Sequence, residues 1–325
     1  MTHLFRSALL MLFLATVAFA QERTNPANQS KELGTVSWYR DFDQASKLAA
    51  EQNKAVLILF QEVPGCATCR NYGHNVLSHP LMAEAIADQF IPLAIYNNKG
   101  GKDKAILERY GEPSWNNPVV RIVDHTGKNL IARIAGNYSA LALANGMKQA
   151  LGVQKRAVPQ YLSLLISELA LEGESTLTES YFSMYCFWSG EKHLGENKAV
   201  VATEPGFMGG KEVVKVHYDS SLISEEALEA YAEKAQCNPV GHDANYRLAS
   251  NDHHYYLKRS VYRYLPLTKA QKTKINSALG NGKAASQYLS PQQKAWLAEL
   301  KNPDTKKQVL AFSDFKDAWK KREAY

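Results

Sequence analysis

Two short stretches of this chain set cysteines where a thiolate would be favoured. Tyr185-Cys186-Phe187-Trp188-Ser189-Gly190-Glu191-Lys192 follows an aromatic-rich segment, Glu179–Tyr185, and leads into a helical turn at Glu191–Leu194. The aromatic content reads as a strand, so Cys186 falls at a strand-to-helix junction. There the unpaired N–H groups and the positive end of the helix dipole favour the thiolate. Phe187 and Trp188 can wall an apolar slot beside the sulfur, suited to a small, uncharged, sulfur- or methyl-bearing group. The competing reading of these eight residues is a buried structural cysteine in an aromatic core. The second stretch is Val63-Pro64-Gly65-Cys66-Ala67-Thr68-Cys69-Arg70, directly after the apolar run Ala55–Phe60. Cys66 at a helix start would attack, and Cys69 one turn in would resolve. A zinc half-site is the alternative; it needs a second ligand pair, and neither Cys186 nor Cys237 lies in a Cys-x-x-Cys.

The segments C-terminal to Cys186 extend the pattern. Gly206-Phe207-Met208-Gly209-Gly210 precedes Lys211-Glu212-Val213-Val214-Lys215-Val216-His217-Tyr218-Asp219, a helix is expected over Ser224–Gln236, and Asn251-Asp252-His253-His254 comes later. In order and spacing, over roughly residues 177–280, this resembles the peptide-methionine (S)-S-oxide reductases, the MsrA family. Their signature is Gly-Cys-Phe-Trp-Gly, a Gly-Tyr-x-Gly-Gly turn, a glutamate-led strand and an Asn-Asp-His-Gly segment.

The resemblance implies a chemistry. Cys186 would attack the sulfoxide sulfur and become a sulfenic acid as methionine leaves. Glu212 would protonate the departing oxygen; without the motif it reads as a solvated glutamate at a strand start. Phe187 and Trp188 would hold the S-methyl group, and Asp252 would support substrate binding. Several positions depart from the family. Tyr185 and Ser189 replace glycines, and Phe207 replaces a tyrosine whose hydroxyl helps bind the sulfoxide oxygen. The second family tyrosine aligns with Leu257, so that Tyr255 or Tyr256 serves only after a shift. The loop between the double glycine and the glutamate is missing, and the C-terminal resolving cysteines are absent, leaving Cys237 as the candidate in this half.

Ala55–Phe60 reads as a strand buried on both faces. Strand, Cys-x-x-Cys and helix in succession resemble the thioredoxin arrangement, over about residues 36–152. Its nearest form is the periplasmic group with Val-Pro-Gly before the reactive cysteine. Supporting elements are helices at Asp41–Gln52 and Leu81–Phe90, strands at Ile91–Tyr96, Val119–Val123 and Asn129–Ala135, and a helix at Ser139–Leu151. Pro118 matches the family's cis-proline. The expected fold class is α/β and α+β: an N-terminal thioredoxin-like fold, then an MsrA-like α+β domain with a helical C-terminal extension. Thr268-x-x-Gln271 and Ser290-Pro291-Gln292-Gln293 signal two capped helices in that extension, to which the sequence assigns no chemistry.

Arg6, the apolar run Ala8–Ala18 and the small-x-small site Ala18-Phe19-Ala20 read as a signal peptide over 1–20. Residues 21–35 read as a flexible leader, 36–152 as the thioredoxin-like domain, 153–176 as a helical linker and 177–325 as the MsrA-like domain. The run is too short for a stable membrane span, so a periplasmic or secreted protein is expected. Four cysteines in an oxidising compartment, with three in redox-type contexts, suit redox chemistry better than stapling. The net charge of +6 comes from interleaved rather than clustered cations, which argues against a nucleic-acid partner. No cofactor or metal is called for. The expected partners are methionine-sulfoxide proteins or peptides and an upstream dithiol reductant. Two further readings stay open: a thiol–disulfide oxidoreductase whose second half only binds a client, and a redox-regulated binding module.

Overall fold

The computed structural model describes residues 23–115, 118–173, 177–242, 245–302 and 307–324. The signal-peptide segment lies outside the described residues. Within the stretch expected to be a flexible leader, residues 32 and 33 are packed into the domain instead. Glu32 and Leu33 in a short 3-10 turn are 3% and 1% exposed, and Gln29 Nε2 donates to the Gly34 and Val36 carbonyls. Two buried side chains and a satisfied backbone outweigh the polar composition that suggested disorder.

Asp41 caps α1 (Phe42–Gln52) by accepting from Gln44 N. Strand β1 (Ala55–Gln61) is buried at every position. Its Leu57 and Leu59 face one apolar cluster and Val56, Ile58 and Phe60 the other, which is why the run is continuous rather than alternating. The cysteine loop then opens α2 (Ala67–Tyr72), followed by a π-helical turn at Gly73–Leu77 and α3 (Pro80–Gln89). β2 (Phe90–Tyr96) pairs parallel with β1. Helix α4 (Lys102–Tyr110) fully buries only Asp103 and Leu107, with Ile106 and Tyr110 packed part-buried against the same cluster, a short apolar face within a charged segment. β3 (Val119–Val123) pairs antiparallel with β1, giving the order β2-β1-β3. The expected strand at 129–135 reduces to two isolated bridges, Val123–Asn129 and Val120–Ile134; a bend between them turns Ile131 into the core. Asn117 is outside the described residues, and with it the peptide bond expected to be cis at Pro118; Val63–Pro64 is cis.

Ser139 caps α5 (Ala140–Val153), and α6 (Gln160–Glu172) follows. Beyond it, β4 (Leu177–Met184) runs into α7 (Phe187–Leu194), and β5 (Val200–Met208) and β6 (Lys211–Asp219) form a hairpin. After α8 (Glu225–Glu233), the short β7 (Asn238–Val240) and β8 (Arg247–Leu248) complete an antiparallel sheet of order β7-β4-β6-β5-β8. A single turn, α9 (Tyr255–Lys258), precedes α10 (Lys269–Gly280), α11 (Pro291–Glu299) and α12 (Phe315–Glu323). Both expected capping boxes are formed, at Thr268/Gln271 and Ser290/Gln293.

Candidate active site

The loop after β1 places Cys66 at the N-cap of α2, exposed, with Cys69 one turn in and buried; their sulfurs are 3.7 Å apart. Hydrogen bonding from the Cys69 backbone N–H lowers the Cys66 thiol below its usual value despite some burial. Burial first, and Cys66 second, push the Cys69 thiol up to about 12. One sulfur is thus prepared to attack and the other to stay protonated until a mixed disulfide forms. Sequence reading missed Glu32 here. Its carboxylate accepts from Gly65 N at 2.8 Å, holding the loop. Burial raises its carboxyl, but hydrogen bonds from Ser30 and Gly65 and the charge of Arg70 outweigh that and keep it ionised. Gly65 is required: a Cβ there would stand 2.4 Å from the Glu62 carbonyl and 2.7 Å from Cys69 Cβ.

Cys186 sits at the N-cap of α7, half-buried, directly after β4. Glu212 Oε2 accepts from Phe187 N at 2.7 Å, so its carboxylate lies against the first turn of the helix that Cys186 opens. Register explains how. Gly209 and Gly210, at φ 57° and 75°, close a two-residue turn that only such conformations allow, pairing Met208 with Lys211. Glu212 then stands opposite Phe207 on one side and Met184 on the other. The missing loop is therefore a tight hairpin that brings the glutamate to the cysteine.

Aromatic side chains line this end of the sheet. Phe187 packs edge-on to Trp188 and to Phe207, with centroids 6.1 and 5.6 Å apart. Trp188 stacks on Tyr255 at 4.0 Å, and Tyr255 meets Tyr256 edge-on at 5.2 Å. Of the two tyrosines left open by the sequence, Tyr255 forms the wall. Tyr256 lies beside it, its hydroxyl pushed up by burial and then by the nearby Cys186. Asp252 is half-buried in the preceding turn, its N–H donating to the Ala249 carbonyl. Tyr185 is 98% exposed, standing out beside the sulfur.

Residues 37–125 match the family model described as thioredoxin-like. The N-terminal half carries a thioredoxin-like domain. The chain is also 38% identical over 64 residues to the peptide methionine sulfoxide reductase MsrA of Methanococcus maripaludis (strain C7), a match covering 14% of this chain and 41% of that protein. The chain thus spans less than half the length of that relative. Together, a thioredoxin-like domain and a partial MsrA homologue point to an oxidoreductase working through thiols.

Cys237, the resolving candidate, is 1% exposed in an apolar cluster with Phe182, Phe187, Leu194 and Leu228. Burial pushes its thiol up to about 11, and its sulfur lies 3.7 Å from the Ala235 carbonyl. Packed so, it is a core residue rather than a ready nucleophile.

Glu191 is a buried acid that sequence reading did not single out, at 0% exposed one turn behind Cys186. Oε2 accepts from His254 N at 3.0 Å, and Oε1 lies 3.4 Å from both His253 Nε2 and His254 Nδ1. Three such groups invite a cation, but the geometry opposes it. His253 Nε2 is 2.7 Å from the Thr203 carbonyl, which can only accept, so that nitrogen carries the proton. The two imidazoles also stack, with centroids 3.7 Å apart and planes 27° from parallel. Burial raises the Glu191 carboxyl to about 8 and lowers His253 to about 4, so both are neutral near pH 7. Glu191 ties α7 to the segment before α9 through the hydrogen bond from His254 N, with the two imidazoles packed against its carboxyl.

Proposed function

We propose that this chain is an extracytoplasmic methionine (S)-sulfoxide reductase, with Cys186 as nucleophile and the Cys66/Cys69 module as electron donor. The observation that carries the reading is the convergence of Cys186 and the Glu212 carboxylate on one helix terminus, with Phe187 N–H 2.7 Å from Glu212 Oε2 and an aromatic wall alongside. In the first step the Cys186 sulfur bonds to the sulfoxide, Glu212 supplies a proton to its oxygen, and thioether and Cys186 sulfenic acid result. Cys66 attacks that sulfenate, releasing water and forming a Cys186–Cys66 disulfide. Cys69 then displaces Cys186, leaving a Cys66–Cys69 disulfide for an upstream dithiol to reduce. The burial of Cys237 favours this route over an internal Cys186–Cys237 relay. The leader composition supports secretion, and no described helix is long and apolar enough to cross a membrane.

Incubation of a methionine-sulfoxide peptide with protein and dithiothreitol, followed by mass spectrometry, tests this. Wild type should remove one oxygen per peptide, and Cys186→Ser none; undiminished conversion by that variant overturns it. A second reading draws on Phe207, which sets no hydroxyl opposite Glu212, and on the exposed Tyr185. In it the second half binds a client polypeptide for thiol–disulfide exchange at Cys66. Insulin reduction by a Cys186→Ser variant, without any sulfoxide turnover by wild type, would favour it.

A further inference from the structure

Helix α10 belongs to the C-terminal stretch to which the sequence assigns no chemistry, yet it reaches the Cys186 site. The N-cap residue of α9, His254, makes no side-chain cap to its own helix. The cap comes from elsewhere: Asn276 Oδ1 of α10 accepts from Tyr256 N at 3.0 Å and from Leu257 N at 3.1 Å. Both partners are donors, so the amide oxygen must face them, and Asn276 Nδ2 is left buried with no partner among the described residues. Asn276 itself is 1% exposed. A buried, unpaired amide donor is destabilising, and leucine would avoid it. What the asparagine contributes in exchange is the hold of its oxygen on α9. Glu191 holds the other side of the same segment through His254 N. One turn along α10, a Cβ on Gly280 would come within 2.8 Å of the Tyr256 ring and of Lys192 Cγ, so the glycine makes the space in which that ring lies.

We propose that Asn276 is a positioning residue for the Cys186 site: it caps α9 from α10 and so sets Tyr255 against Trp188 and Tyr256 beside Cys186, with Gly280 providing the clearance. Tyr256 then sets its hydroxyl beside Cys186, where it stabilises the sulfur anion. This inference does not rest on the reductase reading.

The test uses the full chain and reads the rate of carbamidomethylation at Cys186, resolved by peptide mass spectrometry at neutral pH, beside steady-state sulfoxide reduction. Tyr256→Phe should slow alkylation about tenfold, the scale of one hydrogen bond to a charged group, because less of the reactive thiolate is present. Asn276→Leu and Gly280→Ala should change it in the same direction. Asn276→Asp, which keeps two acceptor positions, should stay within about twofold of wild type. The Asn276→Leu/Tyr256→Phe double variant should be no slower than the slower single variant, because both act through one hydroxyl. In turnover, the Leu variant should lose about tenfold in kcat with KM nearly held. Additive effects of the Leu and Phe changes, or a Leu variant that matches wild type while the Asp variant does not, overturn the proposal. Should Asn276→Leu fail to fold by circular dichroism, the Gly280→Ala and Asn276→Asp pair decides by the same criteria. If wild type reduces no sulfoxide while the alkylation pattern holds, the reductase reading fails and the positioning role stands.

Discussion

At the scale of single residues, Glu212 combines two roles that substitution can separate. Its carboxylate caps the first turn of α7 through Phe187 N and lies where a departing oxygen would need a proton. Glutamine keeps an acceptor for Phe187 N and loses the proton. Glu212→Gln should therefore leave the melting temperature unchanged and lower kcat by about 10²–10⁴-fold. Alanine removes the cap as well and should cost about 1 kcal/mol of stability. Equal melting temperatures for the two variants, by calorimetry, would disprove the capping role. The Cys66 and Cys69 thiols lie on opposite sides of their usual value, the latter at about 12, so of this pair iodoacetamide at pH 7 should label Cys66 and not Cys69. Labelling of Cys69 in the folded protein would contradict its burial. The site residues legible in the sequence sit in contiguous motifs, where a thiol, its neighbours and a strand or helix boundary share a few positions. Glu32, Glu191 and Asn276 were not legible. Each acts on backbone N–H groups 19 to 63 residues away, and in its own segment looks like any polar residue.

Whole elements were legible where a period or a cap marks them. The buried strand β1, the capped α10 and α11, and the double-glycine hairpin all carry such marks. Helix α4 and the broken strand at 129–135 do not, since one sets only a short apolar face among charged residues and the other bends midway. The far end of α7 shows what pattern reading cannot reach. Lys274 Nζ donates to the carbonyls of Gly195 and Asn197, at 3.0 and 2.6 Å, tying the turn after the Cys186 helix to α10. Burial lowers its ammonium from 10.5 to about 7. Between these values the unfolded chain binds the proton and the folded chain does not, so this group makes stability rise with pH from about 7 to 10.5, by up to about 1.4 kcal/mol per unit. Below pH 7 both states are charged and the contribution is flat. Subtracting the stability of Lys274→Met from that of wild type at each pH, in urea titrations, isolates the effect. A difference that does not rise across this window would refute it.

The molecule as a whole is joined through α6, the helix in the stretch that reads as a linker. Its Leu162, Leu165 and Leu169 enter the same apolar cluster as Leu57 and Leu59 of β1, Ile275 of α10, Trp296 of α11 and Trp319 of α12. Polar ties reinforce the junction. Glu168 of α6 accepts from Lys269 N and Ala270 N, at 3.2 and 2.7 Å, capping α10, and Glu84 of α3 accepts from Gln292 N at 2.8 Å. Nothing in the sequence signals this, because an amphipathic helix shows that it has an apolar face and not what covers it. Two modules joined by an open tether would unfold separately; two that share one core should not. A single calorimetric transition is therefore expected, with the loss of tryptophan burial and the exposure of Cys237 to a thiol reagent at one midpoint. Glu168→Ala leaves two helix N–H groups of α10 without their acceptor and should lower that midpoint by several degrees, for a loss of about 1–3 kcal/mol. The decisive measurement is whether both probes move together in the variant. If tryptophan fluorescence keeps its midpoint while Cys237 becomes reactive at lower temperature, the halves unfold independently and the shared core does not couple them.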